Sequence, residues 1–426
     1  MNIKSVLISE PERVDRFYPF SVMHPLWELR LGSSMLFEKL KYLIPDCELF
    51  FHCEKVKLNS FLQRNNIREQ KLPKAGTLVW DSSVMPSRTL LDEIRAAYNL
   101  HKKSGGNKSI IFTHAARPFA AFIPEDEMIN PSERDIAFLP RFLNDFLPVV
   151  PTLEIQRIRR IDDLWSTLDF TAGAVREDYI YIKDKFTQFD SGNFPGAWAV
   201  NPESILLGEG VLIAPGVVID ASDGPVILCD NVRIMPNATI IGPTAIGNNS
   251  TIKTGAKIYE NTAIGPWCKV GGEVEDSIIQ GYSNKQHDGF LGHSWLGEWV
   301  NLGADTNNSD LKNTYGNISI RLRGETIDTG RMFLGFLCGD HTKTAINTQI
   351  NTGTVAGISA MIASAGFPDK EIHSFGWIAG ESAERYDFGK ALQVARRVMR
   401  RRNRTLTDPE EELMKREFNI NHRNSL

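Results

Sequence analysis

The sequence predicts an α/β N-terminal domain, a left-handed parallel β-helix and a C-terminal helix. The β-helix follows from aliphatic residues at every sixth position over eight repeats: Leu228, Ile234, Ile240, Ile246, Ile252, Ile258, Ile264 and Val270. Neither an α-helix nor a flat strand has a period of six, whereas hexapeptide repeats do. Three such repeats make one triangular coil, with each aliphatic side chain inside it. The other two parts follow from alternating strand and helix patterns before residue 196 and from basic residues at helical spacing after residue 375.

Residues between the aliphatic positions support the coils. Asparagine, glycine and proline suit tight corners, where φ is restricted or positive. They occur between the repeats at Pro236, Asn237, Gly242, Pro243, Asn248, Gly255 and Asn261. The phase continues backwards through Leu207, Ile213 and Ile219, and it slips by three residues at Ala221–Gly224. We therefore expect a short loop to project from that coil.

Residues 1–195 lack the six-residue period and read as an α/β domain. Short apolar runs alternate with helical spacing, which favours a parallel sheet. The predicted strands are Ile3–Ile8, Glu48–Cys53, Thr77–Trp80 and Lys108–Thr113, and the predicted helices are Phe37–Leu43, Arg88–Leu100, Met128–Val150 and Asp162–Phe170. With Phe189–Gly196 as linker, the predicted domains are 1–195, 196–375 and 376–426.

Length, charge and cysteine usage limit the class of protein. A chain of 426 residues is too long for one ordinary core. A net charge of −4 gives no general attraction to nucleic acid or membranes. The N-terminus lacks a signal-peptide pattern, and no apolar run approaches the ~20 residues of a membrane span. The five cysteines form no CxxC pair, as expected of reduced, buried thiols in the cytoplasm.

Three segments resemble the bacterial bifunctional enzymes that acetylate glucosamine 1-phosphate and uridylylate the product to UDP-N-acetylglucosamine, in their divergent Bacteroidetes-type version. The segments are Trp27-Glu28-Leu29-Arg30-Leu31-Gly32 with Glu38-Lys39, Ile161-Asp162-Asp163-Leu164-Trp165, and Gly271 to Ile318. The resemblance implies a nucleotidyltransferase domain that uses an NTP, a sugar 1-phosphate and Mg²⁺. It also implies an acetyl-CoA-dependent N-acetyltransferase in the coils and a homotrimer. Two alternatives are a nucleotidyltransferase whose β-helix serves trimerisation or regulation, and a scaffold whose sites have decayed.

The segment from Lys285 to Gly292 breaks the hexapeptide rhythm with polar residues. Histidine suits acetyl transfer because a neutral imidazole can take a proton from an amine. In the resembled family the base lies in a K-x-x-H-x-x-Y-L-G motif, and His287 falls on that histidine. Lys285, Phe290 and Asn301 fall on or near substrate-contacting positions, although Lys285 is one residue closer and Phe290 replaces tyrosine. The alternative is that His287 is a hydrogen-bonded corner residue.

Further residues are candidates for the acyl donor. His341 and Lys343 lie in a stretch that resembles the family's N-K-x-K-T segment near acetyl-CoA; a solvated loop is the alternative. His293 is expected to be structural. The basic helix of Lys390–Arg404 is suited to the 3′-phosphate of coenzyme A, to a neighbouring subunit, or simply to solvent.

Nucleotidyl transfer needs a turn that holds the triphosphate, a positive charge and acids for Mg²⁺. The usual L-x-x-G-x-G-T-R signature is absent. Arg30, Gly32 and Lys39 are the candidates in its place, against the alternative of a helix N-terminus capped by Ser33 or Ser34. Asp81 follows an apolar strand, where a parallel sheet meets its ligands, and is the candidate metal ligand.

Overall fold

A computed structural model describes residues 1–11, 13–68, 76–105, 109–124, 150–380 and 382–423. The chain forms two compact units, each built from several segments. The first contains Met1–Arg16, His24–Leu29 and Met35–Asp162, and the second contains Phe17–Met23, Arg30–Ser34 and Asp163–Leu426. The predicted helix of Met128–Val150 lies outside the described residues. The domain boundaries at 195 and 375 stay predictions.

A six-stranded sheet forms the core of the first unit, with buried Leu7, Phe50, Val79, Ile111 and Ala121 in contact. The described residues up to residue 162 contain helices α1 (Leu36–Leu43), α2 (Lys55–Arg64) and α3 (Arg88–Lys103). Their strands are β1 (Ser5–Ser9), β2 (Arg30–Leu31), β3 (Ser34–Met35), β4 (Glu48–His52), β5 (Thr77–Asp81), β6 (Ile110–His114), β7 (Arg117–Ile123) and β8 (Thr152–Glu154). The sheet order is β4-β1-β5-β7-β6-β8.

The sheet is mixed: β1 runs parallel to β4 and β5, as the alternating pattern predicts, but the sheet is not parallel throughout. β7 runs antiparallel to both β5 and β6. It follows β6 through a hairpin in which Ala115 and Ala116 have φ of 48° and 60°. Hairpin turns of this kind usually contain Asn-Gly or Asp-Gly, and an Ala-Ala pair gives no such signal. The Glu154 carboxylate supports the turn by accepting from the Ala115 amide and the Thr113 hydroxyl, each at 2.6 Å.

The second unit is a β-helix of about ten coils, as the six-residue period predicts. Its strands are two to five residues long. In chain order they are β9 (Thr187–Gln188), β10 (Trp198–Val200), β11 (Ile205–Leu207), β12 (Leu212–Ile213), β13 (Val218–Asp220), β14 (Val226–Leu228), β15 (Arg233–Ile234), β16 (Thr239–Ile241), β17 (Thr244–Ile246), β18 (Thr251–Ile252), β19 (Lys257–Ile258), β20 (Thr262–Ile264), β21 (Lys269–Val270), β22 (Glu273–Glu275), β23 (Ile278–Gly281), β24 (Asn284–Lys285), β25 (Phe290–Gly292), β26 (Trp295–Glu298), β27 (Asn307–Asn308), β28 (Ser319–Leu322), β29 (Glu325–Asp328), β30 (Phe336–Cys338), β31 (Lys343–Thr344), β32 (Gln349–Ile350), β33 (Thr354–Ala356), β34 (Met361–Ser364), β35 (Glu371–Ile372), β36 (Gly376–Gly380) and β37 (Ser382–Arg385).

Parallel pairing from coil to coil builds three faces. Face A has the order β35-β33-β30-β26-β23-β20-β17-β14-β11, with β9 antiparallel at its edge. Face B is β10-β13-β16-β19-β22-β25, and face C is β12-β15-β18-β21-β24. Face C continues through bridges from Asn284 to Asn301 and from Asn301 to Lys343 into β31-β34-β36-β37. From β10 to β25, each coil therefore contributes one short strand to each face.

All eight residues of the six-residue period point into the coils and belong to one apolar cluster, none more than 1 % exposed. The parallel register stacks each of them on its equivalent one coil away, as in Ile234 against Ile252 and Ile252 against Val270. Residues 221–225 lie between β13 and β14, outside both strands, where the slip predicts a loop. The pattern thus fixes which side chains form the core.

The described part of the second unit contains the α-helices α4 (Thr167–Ile182), α5 (Phe388–Arg400) and α6 (Asp408–Arg423). The helix predicted from Asp162 begins five residues later and is longer than expected. α4 packs on β14, β17 and β20 of face A. On the same face the Phe20 ring meets Trp295 edge-on, with centroids 5.5 Å apart. Among the described residues, no helix is long and apolar enough to cross a membrane.

The register predicts the effect of truncating one inward residue. Ile258 lies 1 % exposed in the stack, whereas its neighbour Lys257 points outward and pairs with Glu273. Ile258→Ala should lower the free energy of unfolding by about 2–5 kcal/mol, because the coils cannot close around the lost volume. Lys257→Ala should cost less than about 1 kcal/mol. Denaturant unfolding checks both, and equal losses would contradict the assigned faces.

Candidate functional site

Lys285 occupies a core position of the β-helix. Register places it on Val270, at the end of an inward column that holds Ile213, Ile234 and Ile252 in the preceding coils. The residue is only 3 % exposed. Its Nζ donates to the carbonyl oxygens of Gly271 and His287, each at 2.9 Å. Burial lowers the pKa of Lys285 to about 8, although Asp288, Asp305 and Glu273 oppose the shift.

The buried ammonium shapes the chain around it. Gly272 has φ +68°, and a Cβ there would come within 2.7 Å of Lys285 Nζ, so only glycine leaves room. After Lys285 the chain turns outward at residues 286–289 and returns at Phe290, whose amide donates to Asn307 Oδ1 at 2.7 Å. His287 lies on this outward segment and is exposed, while its carbonyl is tied to Lys285. The exposed His287 therefore lies two residues after Lys285, the charged residue of this inward column.

Asn301 lies beside this segment on the next coil. Its backbone bridges Asn284 on one side and Lys343 on the other, so three polar residues follow one another across three coils of face C. Lys343 Nζ donates to His341 O at 2.9 Å, and burial lowers the pKa of Lys343 to about 8. His341 is buried in a corner with φ 62°. The structure therefore places His341 and Lys343 in a coil, not in a solvated loop.

Sequence reasoning missed an aromatic corner next to these residues. Trp267, Tyr282, Trp299 and His341 have positive φ in successive coils, at corners where asparagine stands earlier in the β-helix. Tyr282 stacks on Trp299 with centroids 4.3 Å apart, and Trp299 lies parallel to His341 at 6.2 Å. Arg404 Nη2 donates to the Tyr282 hydroxyl at 2.9 Å. The sequence did contain a signal for this corner. An aromatic residue, at positions 267, 282, 299 and 341, stands two positions before each outward Lys or Asn, at positions 269, 284, 301 and 343.

Arg30 and Gly32, predicted to hold a triphosphate, have partners within the second unit. Arg30 Nε and its amide both donate to Gln280, at 3.1 Å, and Nη1 donates to Ser33 O at 2.9 Å. Gly32 has φ +70°, and the next amide, of Ser33, donates to Asp178 Oδ2 at 2.9 Å. These contacts occupy the Nε and Nη1 donors of Arg30 and the amide of Ser33. The role of Arg30 and Gly32 in holding phosphate stays a prediction.

Lys39 and Asp81 belong to the first unit. Lys39 is buried in α1, which begins after Met35 as N-cap, so the alternative of a Ser33 or Ser34 cap was wrong. Asp81 ends β5 as expected. Its carboxylate accepts from the Ser83 amide and hydroxyl at 2.8 and 2.7 Å and pairs with Arg160 at 3.4 Å. Burial raises the pKa of Asp81, and Arg160 opposes the shift. Metal binding by Asp81 stays a prediction.

Two residues of the N-terminal segment that carries the resemblance are structural. The Trp27 ring packs against Phe51 and Phe61, with centroids 5.3 and 5.4 Å away. The buried Glu28 carboxylate accepts from Arg64 and from Asn65, the latter at 3.2 Å. Trp27 and Glu28 of the sequence motif are therefore part of the buried interior of the first unit.

Comparisons with known proteins find a separate family match in each half of the chain. Residues 6–186 match the family model described as sugar nucleotidyl transferase, and residues 225–260 match the model for bacterial transferase hexapeptide repeats. A bifunctional sugar-1-phosphate nucleotidylyltransferase/acetyltransferase of Sulfurisphaera tokodaii is 32% identical over 116 residues, 27% of this chain and 28% of that protein. The bifunctional protein GlmU of Synechococcus elongatus is 26% identical over 197 residues, 42% and 40% of the two chains.

These matches span 28% and 40% of the length of those two curated relatives. A solved structure, the UDP-N-acetylglucosamine acyltransferase of Campylobacter jejuni, covers 52% of this chain and 94% of its own, at 13% identity and a TM-score of 0.20. That likeness is too slight to bear on fold or function.

The lowered pKa of Lys285 gives a prediction about stability. The pKa of Lys285 in the folded protein, about 8, lies below its ordinary value of 10.5, so the folded state resists protonation of this lysine more than the unfolded chain does. The resulting penalty is full below pH 8 and disappears as pH rises towards 10.5. The free energy of unfolding of the parent minus that of Lys285→Met should therefore rise by up to about 3 kcal/mol across that window. Lys257→Met controls for losing one positive charge, and a flat difference would contradict the buried ammonium.

Proposed function

Because the chain joins a sugar nucleotidyl transferase domain to hexapeptide repeats, we propose that it is a bifunctional, cytoplasmic transferase. One reaction acetylates the amine of an amino-sugar 1-phosphate, such as glucosamine 1-phosphate, from acetyl-CoA. The other transfers a nucleotidyl group from an NTP to a sugar 1-phosphate with Mg²⁺. The observation that carries the first assignment is the outward segment at residues 286–289, which presents His287 beside the buried Lys285. The second rests on the family match over residues 6–186.

His287 is the proposed base of acetyl transfer. An amine attacks the thioester carbonyl and its proton passes to the imidazole. The C–S bond then breaks, and the imidazolium returns the proton to the sulfur, so that coenzyme A leaves as the thiol. Lys285 positions the segment through the His287 carbonyl. Phe290, on β25 of face B, and Asn301, on face C, are the proposed contacts of the sugar. His341 and Lys343, one coil further along, are the proposed contacts of acetyl-CoA.

In the first unit, Asp81 is the proposed Mg²⁺ ligand. Carboxylate oxygen suits Mg²⁺, and Asp81 lies at the carboxyl end of a strand, where such sheets bind ligands. Magnesium would neutralise charge on the triphosphate. Asp81 would first have to exchange its contact with Arg160 for the metal. Lys39 of this unit remains a proposed triphosphate contact, and so do Arg30 and Gly32, which belong to the second unit.

The imidazole of His287 is tested by its removal. His287→Ala should lower thiol release from acetyl-CoA with glucosamine 1-phosphate by about 10²–10⁴-fold, the usual contribution of a positioned base. His373→Ala removes an exposed histidine from the same β-helix and should retain parent activity. Turnover of His287→Ala equal to that of the parent would refute the assignment.

The nucleotidyl site is tested separately. Lys39→Met keeps the buried aliphatic length and removes the charge, so pyrophosphate release from an NTP and a sugar 1-phosphate should fall at least about tenfold. Thiol release from acetyl-CoA by the same variant should be unchanged. Equal losses of both activities would show general damage to the fold instead of a triphosphate contact.

We also propose a homotrimer, in which flat faces of three β-helices pack side by side. Trp198 and Val200 on β10 are exposed apolar side chains on face B that such packing would cover. Light scattering at micromolar concentration should give three times the chain mass of 47.8 kDa. A monomer at that concentration would contradict the assembly.

A further inference from the structure

His293, which the sequence suggested was merely structural, has a fixed ring at the corner after β25. Its φ is 44°, in the left-handed region. Nδ1 lies 2.8 Å from Asp310 Oδ2, and the ring stacks on Phe333 with centroids 5.0 Å apart and planes 25° apart. Two contacts in different directions therefore hold the imidazole, although it remains partly accessible to solvent.

Two more carboxylates face the same ring. Register pairs Glu275 with Gly292, so the end of β22 lies against the coil that carries His293. One His293 nitrogen, one Glu275 oxygen and one Asp310 oxygen all lie within 4.8 Å of one another. On the other side of the ring, Nε2 lies 3.8 Å from Asp276 Oδ2. The imidazole thus stands among three carboxylates.

We propose that Glu275, His293 and Asp310 bind a divalent transition-metal ion. Ligand atoms that share a metal at about 2.0–2.2 Å lie about 3–4 Å apart, so a shift of about 1 Å by the half-buried Glu275 side chain completes the set. Metal-bound histidines usually offer their second nitrogen to a carboxylate, and Asp276 faces Nε2 in that way. The cluster thus has three candidate ligands, together with Asp276 as the carboxylate that faces the second nitrogen of the histidine.

Charge balance favours a cation over an ion pair alone. A protonated His293 would offset one of the three carboxylates and leave a net charge of about −2, whereas a divalent ion offsets two. Glu260 also acts on Glu275 and adds to the negative charge. One nitrogen and two oxygen ligands suit Zn²⁺, Co²⁺ or Mn²⁺, because Mg²⁺ and Ca²⁺ prefer oxygen alone. Three protein ligands leave a position for water or substrate.

The metal site adjoins Phe290. A Cβ at Gly292 would come within 2.4 Å of the Phe290 ring and 2.5 Å of Asp310 Oδ2, so ring and carboxylate meet over this glycine. A bound cation would attract the phosphate of the sugar to a surface that is otherwise acidic. That consequence rests on the proposed function, whereas the metal site does not.

Metal binding by the untagged full-length chain tests the inference. After dialysis against chelator, calorimetry should show one Zn²⁺ bound per chain by this site, and Co²⁺ should give a visible d–d absorption band. Asp310→Asn and Glu275→Gln should each weaken Zn²⁺ binding at least tenfold, and His293→Ala should abolish the Co²⁺ band. His373→Ala should bind as the parent does. Circular dichroism of the metal-free proteins shows whether each variant is folded.

Two results would overturn the site. One is that the parent binds no more Zn²⁺ than the folded His293→Ala variant does. The cluster would then be only an ion pair between His293 and its neighbouring carboxylates. The other is that binding survives in both Asp310→Asn and Glu275→Gln, which would place the metal elsewhere. If Zn²⁺ binds as expected but no sugar phosphate is acetylated, the proposed function fails and the metal site stands.

Discussion

The stack of inward aliphatic side chains is the constraint on which the second unit depends. Each coil is only three short strands, so its stability comes from burying residues such as Ile234, Ile252 and Val270 on their equivalents in the next coil. A column of this kind tolerates little change in volume or polarity. Wherever the sequence departs from the column, the backbone must adapt, and the candidate acetyl-transfer site lies at such a departure.

Lys285 is that departure. An ammonium in an apolar column needs acceptors, and it takes two backbone carbonyls, of which one belongs to His287. One lysine at a position that is aliphatic in the preceding coils therefore both raises the free energy of the folded state and fixes the backbone at the exposed His287. Lys343 points outward, next to the inward Thr344, and it also donates to the carbonyl of a nearby histidine, His341. At Lys285, a lysine that an apolar core disfavours holds the chain next to a histidine.

The six-residue period predicted the core of the β-helix from local sequence, because inward positions recur at fixed spacing. Contacts between distant residues could not be predicted in this way. Arg30 meets Gln280 and Ser33 meets Asp178, so a segment that resembled a phosphate-binding turn has partners far away in sequence. The Ala115–Ala116 hairpin escaped prediction because its left-handed turn carries no glycine or asparagine. His293 and Asp310 meet only because successive coils bring positions 17 residues apart together.

A double-mutant cycle on Lys285 and His287 tests the central claim most directly: Lys285 acts in acetyl transfer by placing His287. The measurement is the rate of thiol release from acetyl-CoA for the parent, Lys285→Met, His287→Ala and the double variant. If the claim holds, Lys285→Met slows the parent at least about tenfold but has little further effect once His287 is alanine. If Lys285→Met lowers the rate by the same factor in both backgrounds, the two residues act independently and the account is wrong.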